Sequence, residues 1–212
     1  MAHSDSGLQK ILKNPVIFDT FQKLIGRTKS DMIFTNDYVK PFDGMRVLDI
    51  GCGTSAILKF LSEYDIIYDG YDANLSYINS SKERWKNRDK FNFHNQIVDE
   101  ELLKKVGSKD SYDVVLAIGL MHHLSDEDIL TLVDTAYCAL KEGGSFITFD
   151  PCNLDDMNIL ETIVYKYDRG RNVKKVNEYI DLLSSKFSNI DSFLRGDMTT
   201  LPIRFLVLNG KK

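Results

Sequence analysis

Only three of the 212 residues are cysteine, Cys52, Cys138 and Cys152. They form no C-x-x-C pair and have no histidine at metal-ligand spacing, which argues against a disulfide framework and against a zinc site. No metal is expected, and reduced thiols suggest a cytoplasmic setting. An excess of positive charge is missing too: 27 Lys and Arg stand against 31 Asp and Glu, a net charge of -4. The lysines are scattered, so no basic field is available to hold a phosphate backbone, and nucleic acid is not an expected partner. No stretch approaches the roughly 20 apolar residues that span a bilayer. The opening MAHSDSGLQKILKN also lacks the apolar core and cleavage site of a secretory signal, and no membrane partner is expected. Repeats and low-complexity segments do not occur. What remains is a chain with 43% hydrophobic residues, long enough for one well-filled core and short for two.

The most informative stretch is VLDIGCGTS, residues 47–55. It reads as a buried strand closing on an acidic residue, then a turn containing Gly51 and Gly53, then a helix. Glycine permits both the tight turn and the close approach of a ligand to backbone N–H groups. From residue 45 onward β-rich runs alternate with helix-period runs, the mark of a largely parallel sheet covered on both faces. The spacing predicts strands over 46–50, 66–72, 91–97, 112–118 and 144–150. After a helix near 176–187, an antiparallel pair over 190–195 and 203–208 brings the sheet to seven strands. A helix starting at Ser125, with Asp128 three residues on, carries Ile129, Val133, Ala136 and Leu140 at helical spacing and is expected to end at Gly143 and Gly144. Phe18, Phe21, Leu24 and Ile25 form an apolar stripe suited to packing helices across the sheet's carboxyl end.

In an open α/β sheet, ligands settle beyond the carboxyl ends of the strands where the winding reverses, and the glycine turn lies there. Asp72 closes the next predicted strand, where a carboxylate can accept from two ribose hydroxyls. Two readings stay open on these residues. Gly51, Gly53 and Ala56 satisfy G-x-G-x-x-A, as in an NAD-dependent enzyme, although Asp49 would then face pyrophosphate. A non-catalytic binding or scaffold protein on the same fold is the other.

The D-x-G-x-G run at Asp49, Gly51 and Gly53, with Asp72 at the second strand's end, resembles class I S-adenosylmethionine-dependent methyltransferases. The GLMHHL segment from Gly119 to Leu124 and the closing strand pair fit that family, whose fold is a Rossmann-like, seven-stranded, mostly parallel α/β sheet. FDPCN at 149–153 and YDRGRNV at 167–173 are similar to compact bacterial members acting on small molecules. The similarity covers about Met45 to the end, and a single domain over 1–212 is expected, with a helical cap at 1–44, a cofactor-binding core at 45–150, a lid at 151–175 and a C-terminal helix and strand pair at 176–212. The resemblance implies S-adenosylmethionine as cofactor, S-adenosylhomocysteine as product and a small-molecule acceptor methylated at oxygen or nitrogen. Asp49 would engage the cationic amino end, and Gly51, Cys52 and Gly53 would give close backbone contact. Asp72, followed by Ala73, would hold the ribose, while Gln96, Ile97 and Val98 would flank the adenine near Gly119. Relatives commonly carry an Asp where this chain has Ile97, and the third motif glycine is replaced by Ser55. Cys52 is expected to pack and not to react.

His122 and His123 follow the fourth predicted strand, where an imidazole could orient or deprotonate the acceptor. Residues 154–172 contain Tyr165, Tyr167, Asp168, Arg169 and Asn172. These are expected to read the acceptor, with Arg169 pairing any carboxylate or phosphate on it.

Overall fold

The computed structural model describes residues 26–106, 111–162 and 172–212. In β1 (Arg46–Ile50) Val47 is buried against one face of the sheet, and Leu48 and Ile50 against the other. A strand apolar on both sides belongs in the interior of a parallel sheet. Accordingly, β1 lies between β2 (Ile67–Asp72) and β4 (Tyr112–Ile118), parallel to both. Beyond these lie β3 (Phe91–Asn95), beside β2, and β5 (Leu140–Pro151), beside β4. The last two strands are β6 (Asn189–Arg195) and β7 (Phe205–Lys211), and β7 is inserted antiparallel between β5 and β6. The resulting seven-stranded order is β3-β2-β1-β4-β5-β7-β6. The winding reverses at β1, which leaves a crevice beyond its carboxyl end.

Helices cover both faces. On one side α1 (Arg27–Phe34), extended by a π-helical turn (Thr35–Val39), packs with α2 (Leu58–Leu61) and α3 (Leu75–Arg84). On the other lie α4 (Glu100–Val106), α5 (Asp126–Ala139) and α6 (Val176–Leu183). Each large apolar side chain taken fully out of water contributes about 1.5–3 kcal/mol. Either layer therefore outweighs a net stability of about 5–15 kcal/mol, and neither is dispensable. Helix α5 begins as its sequence predicts: the Ser125 hydroxyl accepts from the Asp128 N–H at 3.2 Å, and three acidic residues occupy the first turn.

Its end differs from expectation. Helix α5 stops at Ala139, and Leu140 is already extended and paired with Tyr112 in the sheet. The register then shifts between Tyr112 and Val114, and Gly143, at φ +77°, lies in the resulting bulge. A Cβ on Gly144 would meet the Lys141 and Asp113 carbonyl oxygens at 2.9 and 3.1 Å. These glycines thus shape a bulged strand and do not terminate a helix. The third strand ends at Asn95, so Gln96 and Ile97 lie in the following loop, and the seventh runs from Phe205 to Lys211, later than expected. The stripe at Phe18, Phe21, Leu24 and Ile25 lies outside the described residues.

Candidate active site

The end of β1 sets the first group. Asp49 is buried on the same side of the sheet as Tyr68, whose hydroxyl donates to Asp49 Oδ2 at 2.6 Å. Its other oxygen, Oδ1, has no partner among the described residues. Burial pushes the Asp49 carboxyl up to about 7, against the Tyr68 hydroxyl and the Arg27 guanidinium, which pull it down. An orphaned buried carboxylate oxygen is costly unless a donor completes it.

The glycine turn follows. Gly51 adopts φ +75° and Gly53 φ +55°. A Cβ on Gly51 would strike the Leu120 side chain at 2.9 Å, whereas at Gly53 it would meet open space. The N–H groups of this turn point inward, contrary to the expectation that they face a ligand. Gly51 and Cys52 donate to the Tyr71 carbonyl at 2.7 and 3.0 Å, and Gly53 donates to Asp72 Oδ2 at 2.9 Å. What the turn offers a ligand is therefore, at Gly53, an approach free of side chains, not a nest of donors. Burial, with Asp49 and Asp72 nearby, pushes the Cys52 thiol well up, which favours the protonated thiol.

Asp72 closes β2, half-buried, with Oδ1 accepting from the Asn74 N–H at 2.7 Å. Burial raises its carboxyl despite these two backbone donors. Each oxygen keeps a further lone pair for a ligand hydroxyl. The helix cap itself is Asn74, whose side chain accepts from the Ser76 N–H, so Asp72 is left for other work.

The loop after β3 comes to the same edge. Gln96 is tied to the Asp72 carbonyl through its N–H at 3.1 Å. Its Oε1 accepts from Lys105 at 3.4 Å, while its Nε2 has no partner among the described residues. Ile97 is 57% exposed and Leu75, just beyond β2, is 56% exposed; Ala73 is exposed as well. Val98 turns inward onto the core. Two large uncovered aliphatics beside Ala73, next to an unsatisfied amide, suit a flat, polar-edged ring.

Beyond β4, Gly119 takes φ +66° and donates to the Phe149 carbonyl at 2.7 Å, turning the chain into a 3-10 turn (Met121–His123). There His122 is buried, with Nδ1 2.7 Å from Oδ1 of Asp150 at the end of β5. Asp150 Oδ1 also accepts from the His122 backbone N–H at 3.2 Å, and its Oδ2 has no partner among the described residues. Burial raises the Asp150 carboxyl, opposed by His122. His123 is exposed, its ring centroid 4.0 Å from that of His122. Asn172 reaches the same turn through its N–H, which donates to the His122 carbonyl at 3.1 Å. Tyr165, Tyr167, Asp168 and Arg169 lie outside the described residues.

Three residues beside these groups were not read from the sequence. Asp150 was legible as the acidic end of the apolar run SFITFD, the same signal that picked out Asp49. Leu75 carried none. Arg27 stands on α1, its Nε donating to Asp31 Oδ1 at 2.6 Å, and its charge reaches Asp49; a search of that segment for apolar periodicity passes over it. A separate cavity of about 280 Å³ lies at the opposite, amino end of the sheet, near Tyr38, Phe42 and Met45, and contains none of the expected site residues. Among the described residues no group of three or more His, Cys, Asp or Glu could hold a metal ion, and no helix is long and apolar enough to cross a membrane.

Residues 48–146 match a family described as a methyltransferase domain. The ubiquinone biosynthesis O-methyltransferase of Coxiella burnetii (strain Dugway 5J108-111) is 27% identical over 121 residues, 57% of this chain and 49% of that one. The chain spans about half the length of the curated relatives it matches. Among solved structures, Haemonchus contortus phosphoethanolamine N-methyltransferase 2, in complex with S-adenosyl-L-methionine, superposes with a TM-score of 0.70 at 13% identity, covering 100% of this chain and 61% of that one. Geranyl diphosphate C-methyltransferase from Streptomyces coelicolor A3(2), in complex with S-adenosyl-L-homocysteine, gives 0.65 at 10% identity, covering 85% and 74%. At such identities the structural likeness bears on the fold alone.

Proposed function

We propose that this chain, which carries a class I S-adenosylmethionine-dependent methyltransferase domain, transfers a methyl group from S-adenosylmethionine to a small organic acceptor at oxygen or nitrogen. One observation carries the reading. Asp49 presents a buried, partnerless oxygen two residues ahead of a turn whose Gly53 faces open space and is held by Asp72.

S-adenosylmethionine, when bound, supplies a methyl group on a positively charged sulfur, already activated for in-line displacement. The protein has to align the acceptor and take away its proton, and alignment in a closed site can contribute up to about 7–11 kcal/mol. Asp49 Oδ1 accepts from the cationic amino end, which draws the carboxyl to its charged form. Arg27, close enough to act on Asp49, offers a positive charge to the carboxylate of the same methionine part. In the turn of Gly51, Cys52 and Gly53 it is Gly53 that allows close approach, and Asp72 accepts from the ribose hydroxyls. Ala73, Leu75 and Ile97 bracket the adenine, with Val98 behind them on the core, and the Gln96 amide meets its polar edge. Gly119 lets the chain turn away beside them.

His122 is the base. Asp150 accepts from its Nδ1–H, fixes the tautomer and makes Nε2 the nitrogen that takes the acceptor's proton. His123 orients the acceptor, and Asn172, whose N–H donates to the His122 carbonyl, reads it together with Tyr167, Asp168 and Arg169. The lid at 151–175 and the cap at 1–44 would then set acceptor choice.

Calorimetric titration with S-adenosylhomocysteine and with NAD tests the cofactor: binding of the first alone is expected, and binding of NAD alone overturns the proposal. Incubation with labelled cofactor and fractionated metabolites, read by mass spectrometry, then identifies the acceptor. Tight cofactor binding with no acceptor ever labelled would favour the scaffold reading. His122→Gln and Asp150→Asn should each lower kcat by about 10²- to 10⁴-fold and flatten the acid limb of the pH–rate profile, with cofactor affinity kept.

A further inference from the structure

Strand β6 forms one edge of the sheet, and among the described residues little covers it beyond Tyr38, whose ring centroid lies 5.3 Å from that of Phe193. Of its seven residues, NIDSFLR, only Ile190 and Arg195 are even half-buried. Phe193 is 40% exposed on one face and Leu194 44% exposed on the other. Natural edge strands are commonly blunted by lysine, proline or a bulge. This one has neither Lys nor Pro, and it pairs with β7 from end to end without a register shift. The opposite edge, β3, is shorter at five residues, and its Phe93 is buried.

The sequence of β6 is complementary to itself. Laid antiparallel against a second copy about a two-fold axis through Ser192, it sets Ile190 opposite the second copy's Leu194, and the reverse, on one face. On the other face Asp191 meets Phe193 and Asn189 meets Arg195. No like charges stand directly opposite, and the two apolar pairs are the kind that stabilise cross-strand neighbours. Arg195 is no obstacle, because its guanidinium is already held by Asp37, Asp197 and the Tyr38 hydroxyl. The one unfavourable contact is diagonal: the two Asp191 carboxylates come within about 7–8 Å.

We propose that β6 is an interface through which two copies of this chain join their sheets edge to edge, with Ser192 on the two-fold axis. Sedimentation velocity of the full chain is expected to show a dimer. Leu194→Lys should yield a monomer, whereas Leu130→Lys, at an exposed leucine on α5, should leave the dimer intact. Asp191→Asn should tighten association, and added salt should tighten the unmodified dimer, through relief of the diagonal repulsion. The register has its own readout. In a Cys138→Ser background, Ser192→Cys should give a covalent dimer on mild oxidation, since Cα atoms directly opposite in an antiparallel pair lie about 4.5–5.5 Å apart, within disulfide reach; Asn189→Cys should not link to itself. A chain that stays monomeric, a dimer that survives Leu194→Lys, or a Ser192→Cys variant that fails to cross-link overturns the proposal. So does a monomer whose residues 189–195 are protected from hydrogen exchange, which would make another segment of the same chain the cover.

Discussion

Replacing Asp49 with Asn should make the ligand-free protein more stable at pH 8 while weakening its hold on S-adenosylhomocysteine. The carboxyl lies at about 7 in the folded chain against 3.8 for an ordinary aspartate, chiefly because it is buried. An acid raised on folding keeps its proton longer in the native state, so stability falls as pH climbs from the lower value to the higher and levels off beyond about 7. At about 1.4 kcal/mol for each pH unit, the loss comes to at most about 4 kcal/mol at pH 8. For a chain of this size about 1 kcal/mol moves the midpoint by about 2–4 °C, so the effect is at most about 8–16 °C. Asparagine keeps an oxygen for the Tyr68 hydroxyl, which donates at 2.6 Å, and never ionises. Scanning calorimetry of both proteins at pH 5 and pH 8, with and without S-adenosylhomocysteine, reads the outcome. The variant's advantage should widen from pH 5 to pH 8, and the ligand should raise the midpoint of the unmodified protein far more than that of the variant. Midpoints that run parallel against pH would refute the reasoning, because Asp49 would then not titrate with folding.

Asp72→Ala removes the acceptor that holds Gly53 and Asn74; calorimetric affinity for S-adenosylhomocysteine should fall by about 10-fold or more, the scale of a hydrogen bond to a charged group. Gly53→Ala finds room for its methyl group but keeps φ +55°, so urea unfolding should register a loss of about 1–2 kcal/mol, and unchanged cofactor affinity would show that this face is not used. The fully buried Glu161 accepts from Arg204 Nε at 2.7 Å and Nη2 at 2.8 Å, which holds its carboxyl down at about 2. Arg204→Met strands that charge and should cost about 3–5 kcal/mol at pH 7. The stabilisation from this pair is complete above the ordinary glutamate value of 4.5 and disappears as pH falls toward 2, so the two proteins should converge in acid unfolding.

The parallel core was legible because its signals are local. Val47, Leu48 and Ile50 read as a strand buried on both faces, and the Gly51 and Gly53 turn punctuates it. The end of α5 was misread because Leu140 fits a helical stripe and a β-strand equally well; pairing with Tyr112, remote in sequence, decides for the strand. Ser55 looked like a departure from the motif, yet it adopts φ +53°, the backbone a glycine would take, and its hydroxyl accepts from Ser81 at 3.2 Å. The substitution keeps the turn and replaces conformational freedom with a buried hydrogen bond. In the site, Asp49 and Asp72 followed from strand ends and spacing. The partner of His122 did not, since it arrives from β5, 28 residues away, and only the sheet brings the two together.

That pairing joins two parts of the molecule that should open on different timescales. Strand β5 is hydrogen-bonded to a neighbour on each side, β4 and β7, so amide protons around Asp150 should exchange with deuterium only through global unfolding. His122 hangs from a three-residue turn, and its amide should exchange through small local openings. The carboxylate is thus a fixed post and the imidazole a part that can swing. With His122 as the proposed base, each excursion of the ring would interrupt proton transfer without disturbing the scaffold, and its frequency would set a ceiling on turnover.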